Sequence, residues 1–222
     1  MIFYKSKAFL ILATIAVLIG SFIFYFFYGF PWNLIKHTSR FEKYLDNKYK
    51  TEFTIDEITY DFFHSTYHAT AYAKNQPKIS FYVGENNGTK ETEDAYEYET
   101  WRYQAKKELS PIIEKIYPVQ VNFSIEIADI KKSEIKNSQI PDYRTCTTLE
   151  IGISMEGYEV TAENKIKELQ RAFQLLQSLK EHGVYLHHFG ISFKNKTMQL
   201  GHDEIILINS FNDLDSWLKE YR

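Results

Sequence analysis

The sequence predicts an α+β protein in which an N-terminal transmembrane helix precedes two small antiparallel-sheet domains, each covered by helices. Three observations predict this class. A long uncharged apolar run lies near the N-terminus, apolar and polar residues alternate with period two in several later segments, and helical apolar stripes separate those segments. The expected order of elements is α-β-β-β-α in the first domain and β-β-α-β-β-α in the second.

Composition is that of ordinary globular domains joined to an anchor. The chain has 222 residues, of which 44% are apolar and 25% are charged, so disordered and collagen-like classes are excluded. A single cysteine excludes a disulfide scaffold. Lys5 and Lys7 precede the apolar run, so the remainder is more acidic than the net charge of −3 of the whole chain. Because phosphate neutralisation dominates nucleic-acid binding, we expect no nucleic acid among the partners.

The membrane anchor is the clearest segment of the sequence. Residues 1–7 form a short basic tail and residues 8–30 carry no charge, while about 20 apolar residues are enough to cross a bilayer. Tyr25, Tyr28 and Trp32 collect at one end, as aromatic residues do at a membrane interface. The bulky end of the run argues against cleavage, so we predict a single-pass signal anchor in the cell membrane, with the N-terminus cytoplasmic and the body extracytoplasmic. Basic residues flank the run on both sides, and their count alone leaves the opposite orientation open.

A stalk helix and a three-stranded meander follow the anchor within the first domain, residues 31–118. From Asn33 to Lys50, apolar and aromatic residues recur at helical spacing, which predicts an amphipathic helix, and Pro31 marks the bend before it. Turn residues then separate three segments rich in Ile, Phe, Tyr and Thr, which predict antiparallel strands. These strands occupy residues 52–62, 66–73 and 78–83.

A long helix is expected to close the first domain. Thr92 should cap it, and it should run from Glu93 towards Tyr117 and end before Pro118. Its apolar stripe should lie on the preceding strands, because an amphipathic helix buries its apolar face against a sheet. The stripe consists of Tyr98, Trp101, Ala105, Leu109, Ile112 and Ile116.

The second domain, residues 119–222, is predicted to begin near Tyr117 to Val119. Its first two strands, over residues 119–127 and 148–155, alternate apolar and polar side chains. One face of their sheet should therefore be buried and the other wet. The wet face carries Asn122, Ser124, Glu126, Thr148, Glu150 and Ser154.

A helix, two strands and a last helix complete the second domain. Thr161 should cap the first helix, and Gly183 should end it in the position after the C-cap. Strands over residues 184–193 and 197–208 are joined by a tight hairpin. Ser210 should then cap the last helix, whose apolar residues are Phe211, Leu214, Trp217 and Leu218.

Histidines provide the candidates for a metal or acid–base site. His64 and His68 would share a face if they lie on one strand, but no third ligand can be placed, so surface histidines are the simpler interpretation. His187 falls on the apolar face of its strand, which favours a buried, hydrogen-bonded histidine. A hydrolase-like site would have to be assembled from His187, His188 and Asp203, converging in a cleft.

The other signatures of catalysis are incomplete. Residues 152–157 resemble the G-x-S-x-G nucleophile motif, but the second glycine comes one residue late and Ser154 sits within a strand. Cys146 has only Arg144 as a basic neighbour, so we expect a structural cysteine. An acidic run at the start of the first-domain helix suits the helix dipole and consists of Glu91, Glu93, Asp94, Glu97 and Glu99. We therefore predict no catalytic residue, no cofactor and no metal ligand.

Two surfaces remain as candidates for binding. One is the wet face of the second sheet. The other is a tyrosine-rich region, because exposed tyrosines supply contact area at low entropic cost, although the same residues could complete a sheet core. The region consists of Tyr67, Tyr72, Tyr82, Tyr96 and Tyr103.

Several short segments carry a resemblance to a known group. They are the Lys-flanked anchor, residues 41–45 (FEKYL) and 53–55 (FTI), and residues 94–96 (DAY) followed by Trp101. In this order they are similar to the YfjL-like group of uncharacterised single-pass envelope proteins of Gram-positive bacteria. The resemblance covers nearly the whole chain and implies location and architecture only, since no catalytic motif defines the group.

These observations predict a membrane-anchored, non-enzymatic extracytoplasmic protein that binds a protein, peptide or cell-envelope partner. The membrane itself is contacted through residues 8–30. One alternative is an envelope enzyme, hydrolase-like, with a site around His187, His188 and Asp203. Another is a passive subunit or chaperone of a membrane complex, which would need the anchor helix for binding.

Overall fold

The computed structural model describes residues 2–118, 121–131 and 139–221. The chain divides into two compact units, Met1–Glu99 and Thr100–Arg222, by the clustering of its internal contacts. The division lies earlier in the chain than the predicted boundary near Tyr117 to Val119, and Val119 lies outside the described residues.

The first unit begins with two helices separated by Gly29 and Phe30. The first helix is apolar and long enough to cross a membrane by length and composition, and its side chains from Lys7 to Phe24 are exposed. Gly29 breaks the two helices apart with a φ of +66°, a left-handed conformation that favours glycine, and its N–H donates to the Tyr25 carbonyl at 2.9 Å. Pro31 occupies the first turn of the second helix, where its missing N–H costs nothing. The helices are α1 (Ile2–Tyr28) and α2 (Pro31–Tyr49).

A four-stranded antiparallel sheet completes the first unit. Its order is β1-β2-β3-β4, a simple meander, and α2 covers one face with Phe41, Leu45 and Tyr49, whose four-residue spacing places them on one side of the helix. This confirms the predicted stalk helix and adds a fourth strand. The strands are β1 (Phe53–Asp61), β2 (Thr66–Ala73), β3 (Gln76–Glu85) and β4 (Thr92–Asp94).

The predicted start of the next helix is wrong by a few residues. Thr92 and Glu93 pair with β3 as part of β4, and α3 (Tyr96–Ile116) begins afterwards. Asp94 accepts the backbone N–H of Tyr96 at 3.0 Å, so its carboxylate satisfies one of the free donors at the helix start. Thr92 and Glu93 therefore belong to a strand and do not cap the helix as the sequence pattern predicted.

Helix α3 from Thr100 onward belongs to the second unit. Trp101 is fully buried and its indole N–H donates to the Pro141 carbonyl at 2.9 Å, while Arg102 and Lys106 form ion pairs with Glu126 at 3.3 Å each. This part of the helix thus packs within the second unit, which corrects the predicted packing on the preceding strands. Its buried stripe consists of Trp101, Ala105, Leu109, Ile113 and Ile116, so Ile113 takes the place predicted for Ile112.

The second unit is built on a five-stranded sheet of order β5-β6-β7-β8-β9. All neighbouring strands are antiparallel except β6 and β7, which are parallel because helix α5 carries the chain back across the sheet between them. The α+β class with two helix-covered sheets is confirmed, with this one parallel pair. The elements are β5 (Asn122–Ile130), α4 (Tyr143–Cys146), β6 (Thr147–Met155), α5 (Lys165–Glu181), β7 (Leu186–Phe193), β8 (Lys196–Gly201), α6 (His202–Leu207), a 3₁₀ helix (Phe211–Trp217) and β9 (Leu218–Glu220).

The end of the second unit differs from the prediction. The strand predicted to reach Ile208 ends at Gly201, and α6 follows with acidic residues in its first turn, where they complement the helix dipole. Three of residues 205–208 are β-branched isoleucines, which favour a strand by propensity. Ile205 is nevertheless buried in α6 and Ile208 directly after it, so packing overrides the propensity. Ser210 forms the expected cap, in a capping box with Asp213, but it begins a 3₁₀ helix followed by a short edge strand.

Candidate functional site

The face of the second sheet that the helices leave uncovered carries the candidate site. Side chains alternate along each strand, so buried residues alternate with polar residues that face outward. Ile125, Ile151 and Ile191 lie on the buried face. The predicted wet face is thus present, except that Thr148 is buried beside the β-bulge between Ile127 and Asp129 of the neighbouring strand, where the register shifts.

A groove crosses this open face from strand to strand. Its floor is a row of register neighbours: Ser124 on β5 faces Gly152 on β6, which faces Gly190 on β7, which faces Gln199 on β8. Two of the four have no side chain, so the row lies lower than the rows on either side. The groove has a volume of about 370 Å³ and also involves Asn122, Ser154, His188 and Ser192.

The two glycines of the floor keep the groove open. A Cβ atom at Gly190 would lie 2.7 Å from Oε1 of Gln199, and one at Gly152 would lie 3.0 Å from Oγ of Ser124. Both positions therefore let a neighbouring polar side chain lie low across the strand. The Gln199 amide also donates from Nε2 to Oγ1 of Thr197 at 3.1 Å, which orients it.

The chemistry of the groove is hydrogen bonding with little charge. Ser124, Ser154 and Ser192 present hydroxyl groups that donate and accept, and Asn122 and Gln199 add amide groups with both capacities. His188 is the ionisable side chain of the lining. Such a surface matches a ligand with its own neutral donors and acceptors, such as peptide groups or sugar hydroxyls.

A second depression continues the groove towards one end of the sheet. It has a volume of about 410 Å³ and shares Ser154 and Ser192 with the groove. Beyond them it is lined by Glu156, Lys194 and the exposed ring of Tyr221. The two depressions together form an elongated surface that changes from neutral to mixed charge, which suits an extended ligand better than a compact one.

An acidic row borders the groove on the side opposite to this depression. Glu126, Glu150 and His188 are register neighbours on β5, β6 and β7. Glu126 is engaged by Arg102 and Lys106. Among residues 2–118, 121–131 and 139–221 there is no group of three or more His, Cys, Asp or Glu side chains that could hold a metal ion.

The residues named for a hydrolase-like site have different environments. His187 is exposed, not buried as its alternation predicted, because a register shift between β6 and β7 at this point breaks the period-two pattern. His188 lines the groove, whereas Asp203 is exposed in the first turn of α6. No hydrogen bond or ion pair joins these three side chains in the described part of the chain.

The other predicted candidates have structural contacts of their own. His64 lies in the β1–β2 turn, 2.6 Å from Asp61, while His68 contacts the Tyr82 hydroxyl at 2.5 Å, so the two histidines do not share a site. Cys146 is buried as a free thiol at the end of α4. Ser154 lies near the end of β6, not at a turn between a strand and a helix, and belongs to the groove.

The predicted tyrosine-rich region divides between core and surface. Tyr67 and Tyr96 are buried in the first unit, whereas Tyr82 and Tyr103 are exposed. Partial burial and the charge of Glu93 raise the pKa of Tyr82, which keeps its hydroxyl protonated at neutral pH. This outcome supports the alternative that some of these tyrosines complete a sheet core.

The sequence pattern predicted the part of the groove on β5 and β6 but not its continuation on the next two strands. Gly190, Ser192 and Gln199 line the groove from β7 and β8. The alternation of apolar Phe189, Ile191 and Phe193 places the residues between them, Gly190 and Ser192, on the outer face, so the sequence contains the pattern that predicts this part of the groove.

Comparisons with known proteins add one distant likeness. No model of a known protein family matches this chain. No curated protein matches it. Among solved structures, the chain is similar to a DUF5037 family protein from Ruminococcus gnavus, with 18% sequence identity, 77% of each chain covered and a TM-score of 0.33. The class that the fold itself defines is an α+β protein with an N-terminal apolar helix and two sheets packed with helices.

Proposed function

We propose that this protein is a membrane-anchored, non-enzymatic binding protein whose second unit recognises a protein, peptide or cell-envelope partner through the groove on its open sheet face. The observation that carries the proposal is the floor row Ser124, Gly152, Gly190 and Gln199, which forms a trough lined by neutral hydrogen-bonding groups. Glycine weakens the interior of a strand and often marks a place where a ligand approaches the backbone closely. Two glycines in register therefore favour a binding role for this face over a purely structural one.

An extended segment is the ligand that this surface supports best. Serine hydroxyls and the Gln199 amide can pair with peptide groups or sugar hydroxyls without paying for the desolvation of a charge. The neighbouring depression adds Tyr221 as an aromatic contact and Lys194 and Glu156 as charged ones. The neutral groove would position such a ligand along the sheet. The depression with Glu156 and Lys194 would select ligands by the charge at one end.

We also propose that α1 spans the cell membrane once, with the N-terminus cytoplasmic and both units extracytoplasmic, as the resemblance to the YfjL-like group implies. Protease treatment of intact cells should then digest the chain beyond residue 30, and lysis should add no further digestion. Protection of the chain until lysis would overturn this orientation and place the partner in the cytoplasm.

Site-specific photocrosslinking of the full chain in its cells tests the binding surface. A benzophenone amino acid at Ser192 in the groove should form a discrete crosslinked adduct, whereas the same group at the exposed Gln174 on α5 should not. Adding Gly152→Val should reduce the Ser192 adduct several-fold, because the new side chain fills the trough. Equal crosslinking from both positions, or an adduct that Gly152→Val leaves unchanged, would refute the groove as the binding site.

A further inference from the structure

An exposed aromatic surface surrounds the point where α1 ends. We call it the exit surface. It is formed by Phe27 in α1, Phe30 between the helices, Trp32 in α2, and the half-buried Phe62 and exposed Phe63 in the β1–β2 turn. The Phe63 side chain is 81% exposed and that of Trp32 is 65% exposed. Ring contacts through Tyr25 and Phe26 connect these residues, and a connected exposed apolar surface marks an interaction site.

The β1–β2 turn lies directly beside the end of α1. The ring of Phe62 is 4.9 Å from that of Phe26 and 5.9 Å from that of Tyr25, measured between centroids. The ring of Phe63 lies 5.9 Å from that of Phe26 in an edge-on arrangement. The aromatic residues of the turn therefore continue the surface of the apolar helix.

Hydrogen bonds to Asp61 and Lys90 hold the backbone of the β1–β2 turn, which carries the exposed Phe63. The Asp61 carboxylate accepts the N–H groups of Phe63 at 2.9 Å and His64 at 3.2 Å. Lys90 Nζ donates to the His64 carbonyl at 2.5 Å. These bonds satisfy backbone N–H and C=O groups within the protein, which lowers the cost of moving the turn from water to the membrane interface.

We propose that the exit surface is seated in the lipid bilayer, with Phe63 at the tip of the β1–β2 turn inserted at the interface beside α1. Aromatic side chains favour this zone of a membrane. Continuity with α1 identifies the occupant, because a lipid surface that surrounds the helix at Phe26 must also meet the rings that pack on it. The first unit would then hold the membrane at two points, by its helix and by its turn, and could not swing freely about the helix end.

This inference rests on the proposed membrane anchoring, and a depth measurement separates the two. The full chain is reconstituted in vesicles of phosphatidylcholine and phosphatidylglycerol, in a Cys146→Ala background that leaves no native thiol. An environment-sensitive fluorophore is attached to one new cysteine at a time: Leu18→Cys in α1, His64→Cys in the turn, or Asn75→Cys. Asn75 lies between β2 and β3, roughly 25 Å from the β1–β2 turn along the strand, and serves as the matched control.

Lipids with a spin label near the headgroup or near the chain centre then quench the fluorophore according to its depth. We expect the Leu18 probe to be quenched most by the central label, the His64 probe most by the shallow label, and the Asn75 probe by neither. Phe63→Ser should remove most of the quenching at His64 and leave that at Leu18 unchanged. Phe63 is mostly exposed, so this substitution removes little packing.

Each other result identifies what fails. Without quenching at Leu18, the membrane anchoring itself is refuted. With Leu18 quenched and His64 no different from Asn75, the anchoring stands and the seated turn is refuted. A His64 probe that is shielded without lipid quenching, in proportion to protein density in the membrane, would show that a second copy covers the exit surface and would also refute the proposal.

Discussion

Tyr49 donates its hydroxyl to the Asp94 carboxylate at 2.7 Å and so joins the last turn of α2 to β4. The same carboxylate accepts the Tyr44 hydroxyl at 2.9 Å and Lys48 Nζ at 2.8 Å. The Asp94 side chain has no exposed surface. Burial and the nearby charge of Asp94 raise the pKa of Tyr49, so the phenol remains a donor at every physiological pH. One buried charge thereby fixes α2 on the first sheet.

Replacing Asp94 should destabilise the first unit. Asp94→Ala leaves Lys48, Tyr44 and Tyr49 without their shared acceptor, and breaking a buried, hydrogen-bonded ion pair costs about 3 kcal/mol. Denaturant unfolding of the detergent-solubilised chain, followed by circular dichroism, measures the loss. Glu91→Gln is the control, because Glu91 is exposed just before β4. Equal stability of the two variants would contradict the role of this network.

The turn between α1 and α2 should depend on Gly29. In Gly29→Ala the new Cβ would meet the Tyr67 hydroxyl and force a left-handed φ on alanine, which together cost about 2 kcal/mol. We expect faster hydrogen exchange at the N–H groups of Asn33 and Leu34, which donate to the Phe30 carbonyl. Gly20→Ala is the matched control within α1, because a Cβ there meets no atom within 4 Å. The prediction fails if both variants exchange alike.

Acid should weaken the first unit through His37. Its ring stacks on Tyr67 at 4.1 Å between centroids, and burial lowers the pKa of His37, aided by the charges of Arg40 and Lys36 and opposed by that of Glu85. The folded state thus binds a proton less readily than the unfolded chain. The contribution of this histidine is complete above the unfolded pKa of about 6.5 and declines as the pH falls below it.

A comparison with His37→Gln isolates this effect. The difference in unfolding free energy between the wild type and the variant should become smaller from pH 7 to pH 5, because glutamine cannot take up the proton that the unfolded wild type binds. Groups that do not contact His37 are unchanged by the substitution, so their contribution cancels in the difference. A difference that stays constant over this range, or grows on acidification, would contradict a lowered His37 pKa.

Thiol reactivity should distinguish the core from the groove of the second unit. Cys146 is 5% exposed, so a maleimide should label it only when the unit opens. A Ser154→Cys thiol in a Cys146→Ala background lies in the groove and should react orders of magnitude faster under native conditions. Mass spectrometry follows the labelling of each thiol over time. Similar rates for the two thiols would show that the groove is covered or that the core opens readily.

Much of the first unit, including its apolar N-terminal helix, could be predicted from local pattern. An uncharged apolar run of bilayer length, the four-residue spacing of Phe41, Leu45 and Tyr49, and the alternation along β2 and β3 are properties of neighbouring residues. Helix and strand periods convert such patterns directly into faces. The wet face of β5 and β6 was predictable for the same reason, because period two decides which side chains point outward.

What only the tertiary structure decided are the relations between distant segments. The sequence by itself determined the apolar helix, the amphipathic α2 and the alternating strands, because each depends on periods of two or 3.6 residues. It could not determine that Gly152 and Gly190 lie in one row, that His187 is turned outward by a register shift, or that Asp94 is buried among the donors of α2. Strand register and the partner of a buried charge are chosen by the packing of the whole unit, which outweighs the small energies of local preference.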